Sequence, residues 1–260
     1  MKTENIVFHN DQGDLLSGRL YSPAEDSRGT VLFCHGLFSS KDAYKIVNLA
    51  ADITGTGFTL LTFDFSFVSG IPESFKKFSI LREVRDLESA VAFLRARGAS
   101  HLHLVGSSMG GVVALLYAAS LPEDLRSLTL IATPVDLGGL LDTLSGGLDL
   151  TGLPEDGYTI VDGIPIGNGF FREARALDMI STVRSVSVPT LVIHGAEDRV
   201  VNVRNAGILR DVLAVERKVV VVPDGDHNLT REGDLRLLRD EIPSWISSHA
   251  DPGRKRVESR

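Results

Sequence analysis

Residues 101–111, HLHLVGSSMGG, constrain this chain more than any other stretch. Residues 101–105 read as a short β-strand, and the apolar, alanine-rich run at 112–120 reads as a helix. Between them Gly106-Ser107-Ser108-Met109-Gly110 must carry the backbone from extended to helical in one tight turn. A serine at the top of such a turn is held in a strained conformation that pushes its hydroxyl into the open. Side chains two positions to either side would collide with the adjoining strand or helix, which explains Gly106 and Gly110. The turn also aims the Met109 amide and the positive end of the new helix at the space beside Ser108, where charge would develop on a carbonyl oxygen under attack. The pentapeptide alone also fits a glycine-rich turn with incidental serines. A base, an acid and a second amide donor must come from elsewhere in the chain.

The rest of the sequence places that turn in a sheet. Residues 6–9 and 15–21 read as an antiparallel hairpin joined by Asn10-Asp11-Gln12-Gly13-Asp14. Short apolar strands are expected at 30–34, 58–63, 125–132, 191–194 and 217–222, with helices at about 42–54, 81–97, 202–213 and 235–247. In the 81–97 segment, Leu81, Val84, Leu87, Val91 and Leu94 repeat every three or four residues, the period of an amphipathic helix. Brief apolar strands alternating with such helices signal an α/β fold, a mostly parallel sheet covered on both faces. Ligands in these sheets bind beyond the carboxyl ends of the strands. His35-Gly36, Asp64, Ser108, Thr133-Pro134 and His194-Gly195 then share one edge.

Composition narrows the function classes. A chain of 260 residues with 43% hydrophobic content can bury one substantial core, so one domain over 1–250 is expected, with 251–260 a solvated tail. No apolar run is long enough to cross a membrane, and the first residues carry no signal-peptide pattern, so no membrane partner and a cytoplasmic location are expected. A formal charge of -7 with mixed signs gives no basic face for nucleic acid. Cys34 is the only cysteine, which excludes an internal disulfide and a cysteine-rich metal cage. The seven histidines show no zinc-type spacing, so no metal and no cofactor are expected.

A serine hydroxyl attacks poorly near neutral pH unless a base removes its proton, and histidine backed by a carboxylate suits that task. His9, His101, His103 and His249 sit in a hairpin, in the motif strand behind its turn, or at the end of the last helix. His227, in Pro223-Asp224-Gly225-Asp226-His227-Asn228-Leu229 after the last strand, is free to reach the sheet mouth. Glu197 and Asp198 both follow the 191–194 strand and are rival carboxylates. The order Ser108, acid, His227 is that of serine hydrolases built on this kind of sheet.

With Cys34-His35-Gly36-Leu37, Asp64, Gly106 to Gly111, His194 to Asp198 and Gly225-Asp226-His227 in place, the chain resembles the α/β-hydrolase superfamily. The resemblance is to its serine-aminopeptidase-like and feruloyl-esterase-like branch. It implies an eight-stranded sheet whose second strand runs against the others, with Ser108 as nucleophile, His227 as base and Asp198 as acid. It also implies an oxyanion hole from the amides of Leu37 and Met109. His35 is read as a loop-organising hydrogen bonder, and Ser107 is expected to face away from the pocket. The stretch Phe65-Ser66-Phe67-Val68-Ser69-Gly70 is more apolar than the arginine-glycine-x-glycine turn of many relatives.

Residues 135–169 carry nine glycines and no clear periodicity, and are read as a small adaptable lid insertion at about 135–170. Leu37, Phe38, Met109, Leu140, Leu141, Leu144, Leu148 and Ile164 are the expected pocket lining. That lining is apolar with no evident fixed cation, which points to a neutral acyl ester of short or medium chain, with hydroxycinnamoyl esters suggested by the resemblance. A thioesterase or serine aminopeptidase would use the same three residues. A non-catalytic interaction module would leave the complete set of nucleophile, acid and base without purpose.

Overall fold

Apolar runs of five to seven residues become neighbouring strands buried on both faces: Thr30–Cys34 (β3), Thr59–Phe63 (β4), Leu102–Ser107 (β5), Leu125–Ile131 (β6) and Thr190–Gly195 (β9). Lys2–His9 (β1), Leu15–Ser22 (β2) and Arg217–Val222 (β10) complete an eight-stranded sheet in the order β1-β2-β4-β3-β5-β6-β9-β10. β2 pairs antiparallel with both neighbours, and the remaining ladders are parallel. The computed structural model describes residues 1–68, 71–147, 149, 150, 152–154 and 156–250. The expected tail at 251–260 and Leu148 lie outside them.

Side chains alternate across each strand, so one strand feeds two cores. From β3, Val31 and Phe33 pack on one face and Leu32 and Cys34 on the other. The first face is covered by Tyr44–Gly55 (α1) and Glu232–Ser248 (α8), through Ile46, Leu49, Ile53, Leu238, Ile242 and Ile246. Ile80–Ala96 (α2), Met109–Ala119 (α3), Met179–Ser185 (α6) and Arg204–Val212 (α7) cover the opposite face.

Several element bounds differ from the sequence reading. β1 begins at Lys2 because the backbone ladder to β2 runs to Ser22, although only Ile6 and Phe8 are buried along it. Backbone pairing, which leaves no hydropathy signal, sets its length. The glycine-rich insertion is more ordered than its composition suggests. It contains the helix Leu137–Ser145 (α4), capped by Asp136 and ended by Gly146 in the left-handed region, and a hairpin of Tyr158–Val161 (β7) and Ile164–Gly167 (β8). Asn168–Ala176 (α5) follows directly, starting earlier than its aromatic residues suggest. α6 is a short helix that the sequence pattern did not indicate.

The buried face of α2 carries two carboxyl groups. Asp86 is satisfied by Asn10 Nδ2 at 2.7 Å and the Ser66 amide at 2.8 Å. Glu83 is fully buried, and among the described residues neither of its oxygens has a hydrogen-bond partner. Desolvation, reinforced by Asp86 and Glu173, holds its pKa well above the usual 4.5. The unfolded chain releases this proton near that value while the folded chain retains it, so Glu83 lowers stability as pH rises beyond about 4.5. Glu83→Met should therefore stabilise the protein by about 1–3 kcal/mol at pH 8, with a smaller gain at pH 4.5. Urea unfolding at both pH values checks this; an equal gain at both would show that Glu83 does not titrate on unfolding.

Candidate active site

Ser108 occupies the expected turn between β5 and α3 with φ 54° and ψ -121°, a strained left-handed-side conformation for a side chain-bearing residue. Its amide donates to Ile131 O at 2.8 Å, and the Gly111 amide returns to Ser108 O at 2.9 Å. A Cβ at Gly106 would meet the Gly110 carbonyl at 2.6 Å, and one at Gly110 would run into the carbonyls of Cys34 and His35. Backbone on every side therefore requires the two glycines.

His227 and Asp198 arrive from two loops stitched together. The Ala196 amide donates to Val222 O at 3.0 Å and the Glu197 amide to Gly225 O at 2.9 Å. Asp226 Oδ1 accepts from the amides of Asn228 and Leu229, at 3.0 and 2.8 Å, and so holds the turn that carries His227. His227 then spans the site: Nδ1 lies 2.8 Å from Asp198 Oδ2, and Nε2 lies 3.0 Å from Ser108 Oγ. With Asp198 able only to accept, the ring proton sits on Nδ1 and Nε2 is left to accept from the serine. Glu197, the rival carboxylate, is exposed to solvent.

Asp198 is firmly held. Its Oδ1 accepts from the amides of Val200 at 2.9 Å and Val201 at 2.8 Å, and its Oδ2 also lies 3.3 Å from His194 Nε2. Burial alone would push its pKa up, but hydrogen bonds from His194, His227 and Val201 outweigh that and keep the carboxyl far below its usual range. The group is ionised across the physiological range. Sequence reasoning placed His194 at the sheet mouth without giving it a role; its Nε2 also donates to Val201 O at 2.8 Å and so fixes the loop that delivers Asp198.

On the other side of Ser108, Gly36 passes so close that a Cβ there would lie 3.2 Å from Ser108 Cβ. Neither the Leu37 nor the Met109 amide donates to an acceptor among the described residues. Met109 is the first residue of α3, where helix amides have no internal partner. His35 is fully buried, with Nδ1 2.8 Å from Gly36 O and Nε2 accepting from the Phe65 amide at 3.3 Å. Desolvation lowers its pKa to about 4, so it is a neutral strut of the loop. Asp64 accepts from the Lys41 amide at 2.7 Å and from Ser17 Oγ at 3.0 Å, tying the far end of that loop to the sheet.

Ser108 and His227 open into a cavity of about 290 Å³. Leu37, Phe38, Met109, Leu140 and Leu144 line it, so α4 of the insertion supplies part of the wall. Leu141 and Ile164 do not. Leu141 is on the core side of α4, and Ile164 sits in the β7–β8 hairpin, which presents Asp162 to the cavity instead. Two further expectations are corrected. Ser107 lines the cavity, and so does Lys45 from the first turn of α1, whose Nζ donates to Ser107 Oγ at 3.0 Å. The lining thus contains a fixed amine that its apolar sequence surroundings hid. A second cavity of about 300 Å³ lies at the amino ends of β3, β4 and β5, among Gly29, Thr59 and His101, away from Ser108. Among the described residues no three His, Cys, Asp or Glu side chains converge on a metal position, and no helix is long and apolar enough to cross a membrane.

A parallel sheet of this strand order, with a serine at the β5–α3 turn facing a histidine and an aspartate from later loops, defines the α/β hydrolases. Comparison with known proteins agrees: the family model described as alpha/beta hydrolase fold matches residues 29–151, and the chain has the α/β-hydrolase fold. It is 25% identical to monoacylglycerol lipase of Mycolicibacterium smegmatis over 88% of this chain and 92% of that one. It is 24% identical to the mitochondrial palmitoyl-protein thioesterase ABHD10 of Mus musculus, over 80% of this chain and 72% of the relative. Among solved structures, Est1E from Butyrivibrio proteoclasticus superimposes with a TM-score of 0.82 at 16% identity, covering 94% of this chain and 98% of that one.

The geometry sets an expectation for the two adjacent carboxylates. Asp198→Asn should cost on the order of 10⁴ in turnover by removing the partner that fixes the His227 tautomer, whereas Glu197→Gln should change it less than about threefold. Steady-state kinetics of the two folded variants checks the assignment, and the reverse order would move the acid to Glu197.

Proposed function

We propose that this chain is a serine carboxylesterase acting on small or medium acyl esters through an acyl-enzyme. The observation that carries the reading is the single imidazole, His227, within hydrogen-bonding distance of both Ser108 Oγ and Asp198 Oδ2 at the wall of a cavity of about 290 Å³. The lipase, thioesterase and esterase relatives support ester-type substrates.

In the proposed mechanism His227 Nε2 takes the Ser108 proton as Oγ attacks the acyl carbon. Asp198 stabilises the imidazolium that results. The carbonyl oxygen becomes an oxyanion beside the Leu37 and Met109 amides and the amino end of α3. His227 then returns the proton to the departing alcohol. A water deprotonated by the same histidine attacks the acyl-enzyme, and the carboxylic acid leaves with Ser108 restored. No step calls for a cofactor.

The cavity's volume is at the small end of the range for ligand sites, which favours a modest acyl group. Hydroxycinnamoyl esters fit that limit and are the natural subset suggested by the branch the sequence resembles. A thioester with a short acyl chain would be handled by the same atoms, and the similarity to a palmitoyl-protein thioesterase makes it the second reading.

Ser108→Ala should retain the wild-type circular dichroism spectrum and lose more than about 10³-fold in ester turnover. Across 4-nitrophenyl esters from acetyl to palmitoyl, with methyl ferulate and an acyl thioester alongside, kcat/KM should peak at a short or medium chain. Full turnover by the serine variant would remove the proposed nucleophile, and a maximum at palmitoyl would overturn the small-pocket argument.

A further inference from the structure

Lys45 is placed where a cation is costly. It is about nine-tenths buried and is the second residue of α1, at the positive end of that helix. The first turn of α1 contains no acidic residue, and the same holds for α3, whose amino end faces the same cavity. Among the described residues the Lys45 ammonium has one hydrogen-bond acceptor, the neutral Ser107 Oγ, and no carboxylate within ion-pair distance. Two of its three protons are therefore unassigned. The fields of Asp198 and Asp226 reach it, but Asp198 is already committed to His227, His194 and two amides, and Asp226 to its own turn. Asp162 lines the cavity from the exposed hairpin.

A buried ammonium with a neutral partner and two helix amino ends around it carries an uncompensated positive field. The compensation has room to come from the cavity, because Lys45 and Ser107 both belong to the wall that also holds Ser108 and His227. We propose that Lys45 is a specificity-determining residue, and that the preferred substrate is an ester bearing a carboxylate whose oxygens the Lys45 ammonium binds while Ser108 attacks the ester carbonyl. The proposal rests on the esterase reading above and specifies its substrate as anionic, where the apolar sequence pattern pointed to a neutral ester. Ser107 acts with it as a positioning residue, holding the ammonium against the wall.

Burial lowers the Lys45 pKa to about 8, with Asp198 and Asp226 opposing that shift. The ammonium form therefore prevails at pH 7 and is lost as pH rises through about 8, and the preference for an anionic substrate should be lost with it. Any pH effect common to the turnover of both esters cancels in the ratio of two substrates.

The test compares 4-nitrophenyl hydrogen adipate with its neutral isostere 4-nitrophenyl 6-methylheptanoate, and 4-carboxyphenyl hexanoate with 4-nitrophenyl hexanoate. The first pair places the carboxylate on the acyl side and the second on the alcohol side. In one pair the anionic ester should be preferred in kcat/KM by about tenfold or more at pH 7. In Lys45→Met that ratio should fall by about 10- to 100-fold, the worth of one charged hydrogen-bonding contact, and Lys45→Arg should recover part of it. Ratios near one in both pairs, or a preference unchanged in Lys45→Met, overturn the proposal while leaving the esterase reading intact. If Lys45→Met does not fold, the wild-type ratio at pH 7 and pH 9.5 decides, and a pH-independent preference overturns it. Should no ester be turned over, the esterase reading falls. Calorimetric titration of monomethyl adipate into wild type and Lys45→Met then reads the site: binding that depends on Lys45 supports it, and equal or absent binding overturns it.

Discussion

Gly110 rests against the carbonyls of Cys34 and His35, and that approach sets the distance between the two halves of the site. It brings the end of β3 and the start of α3 together with no side chain between them. The Leu37 and Met109 amides can then face one small volume beside Ser108, and Gly36 can pass at near van der Waals distance from the serine. A similar contact recurs on the far side, where Gly195 and Gly225 abut and the loops carrying Asp198 and His227 are drawn together. The side chains of Ser108, His227 and Asp198 are thus aligned by backbone packed on backbone, which has little freedom to shift.

Once that frame is rigid, the electrostatics can be specialised by burial. His35 and Asp198 lie within the same edge of the sheet, yet one is held neutral and the other ionised. His35 loses its water and gains only a carbonyl and an amide, whereas Asp198 loses water but gains two amides and two imidazoles. Lys45 belongs to a third case. It gives up water for one hydroxyl and the more distant fields of Asp198 and Asp226, with no carboxylate in ion-pair contact. A group of that kind costs stability in the free protein, so its position in the cavity wall is better explained by what enters the cavity than by what holds the fold.

The meeting of Ser108, Asp198 and His227 could be read from the sequence because each follows an apolar strand, and strand ends in a parallel sheet converge on one edge. The rest of the site was harder to read for identifiable reasons. Lys45 lies in a helix, where a lysine is ordinarily a solvated surface residue, and only the hydrogen bond of its ammonium to Ser107 at the end of β5 reveals that it turns inward. Leu140, Leu141 and Leu144 share one helix, but the α-helical period sends 140 and 144 to the cavity and 141 to the core. The insertion's helix was concealed by its glycines, since Gly138 and Gly139 fall within its first turn, where the Asp136 cap compensates for their poor propensity.

The aromatic residues after β4 connect the insertion to the site. Phe63 and Phe65 lie 4.9 Å apart, Phe67 contacts Phe75 at 5.1 Å and Phe78 at 5.0 Å, and Phe78 reaches Phe170 of α5 at 4.8 Å. Phe75 in turn meets Phe38 at 5.5 Å, beside the Leu37 amide. Glu173 of α5 accepts from Ser79 Oγ and the Ile80 amide at the start of α2, so the base of the insertion is also fixed by charge-assisted hydrogen bonds. The apolar sequence that replaces an arginine-glycine turn here is therefore a packed bridge from the cavity wall to the root of the insertion. A substrate that displaces Phe38, which is nearly half exposed, must press on Phe75. From there the contact chain leads to α5 and not to the loops holding Asp198 and His227. Adaptation of the pocket to different ligands can thus be absorbed on the insertion side while the Ser108–His227–Asp198 alignment stays on rigid backbone.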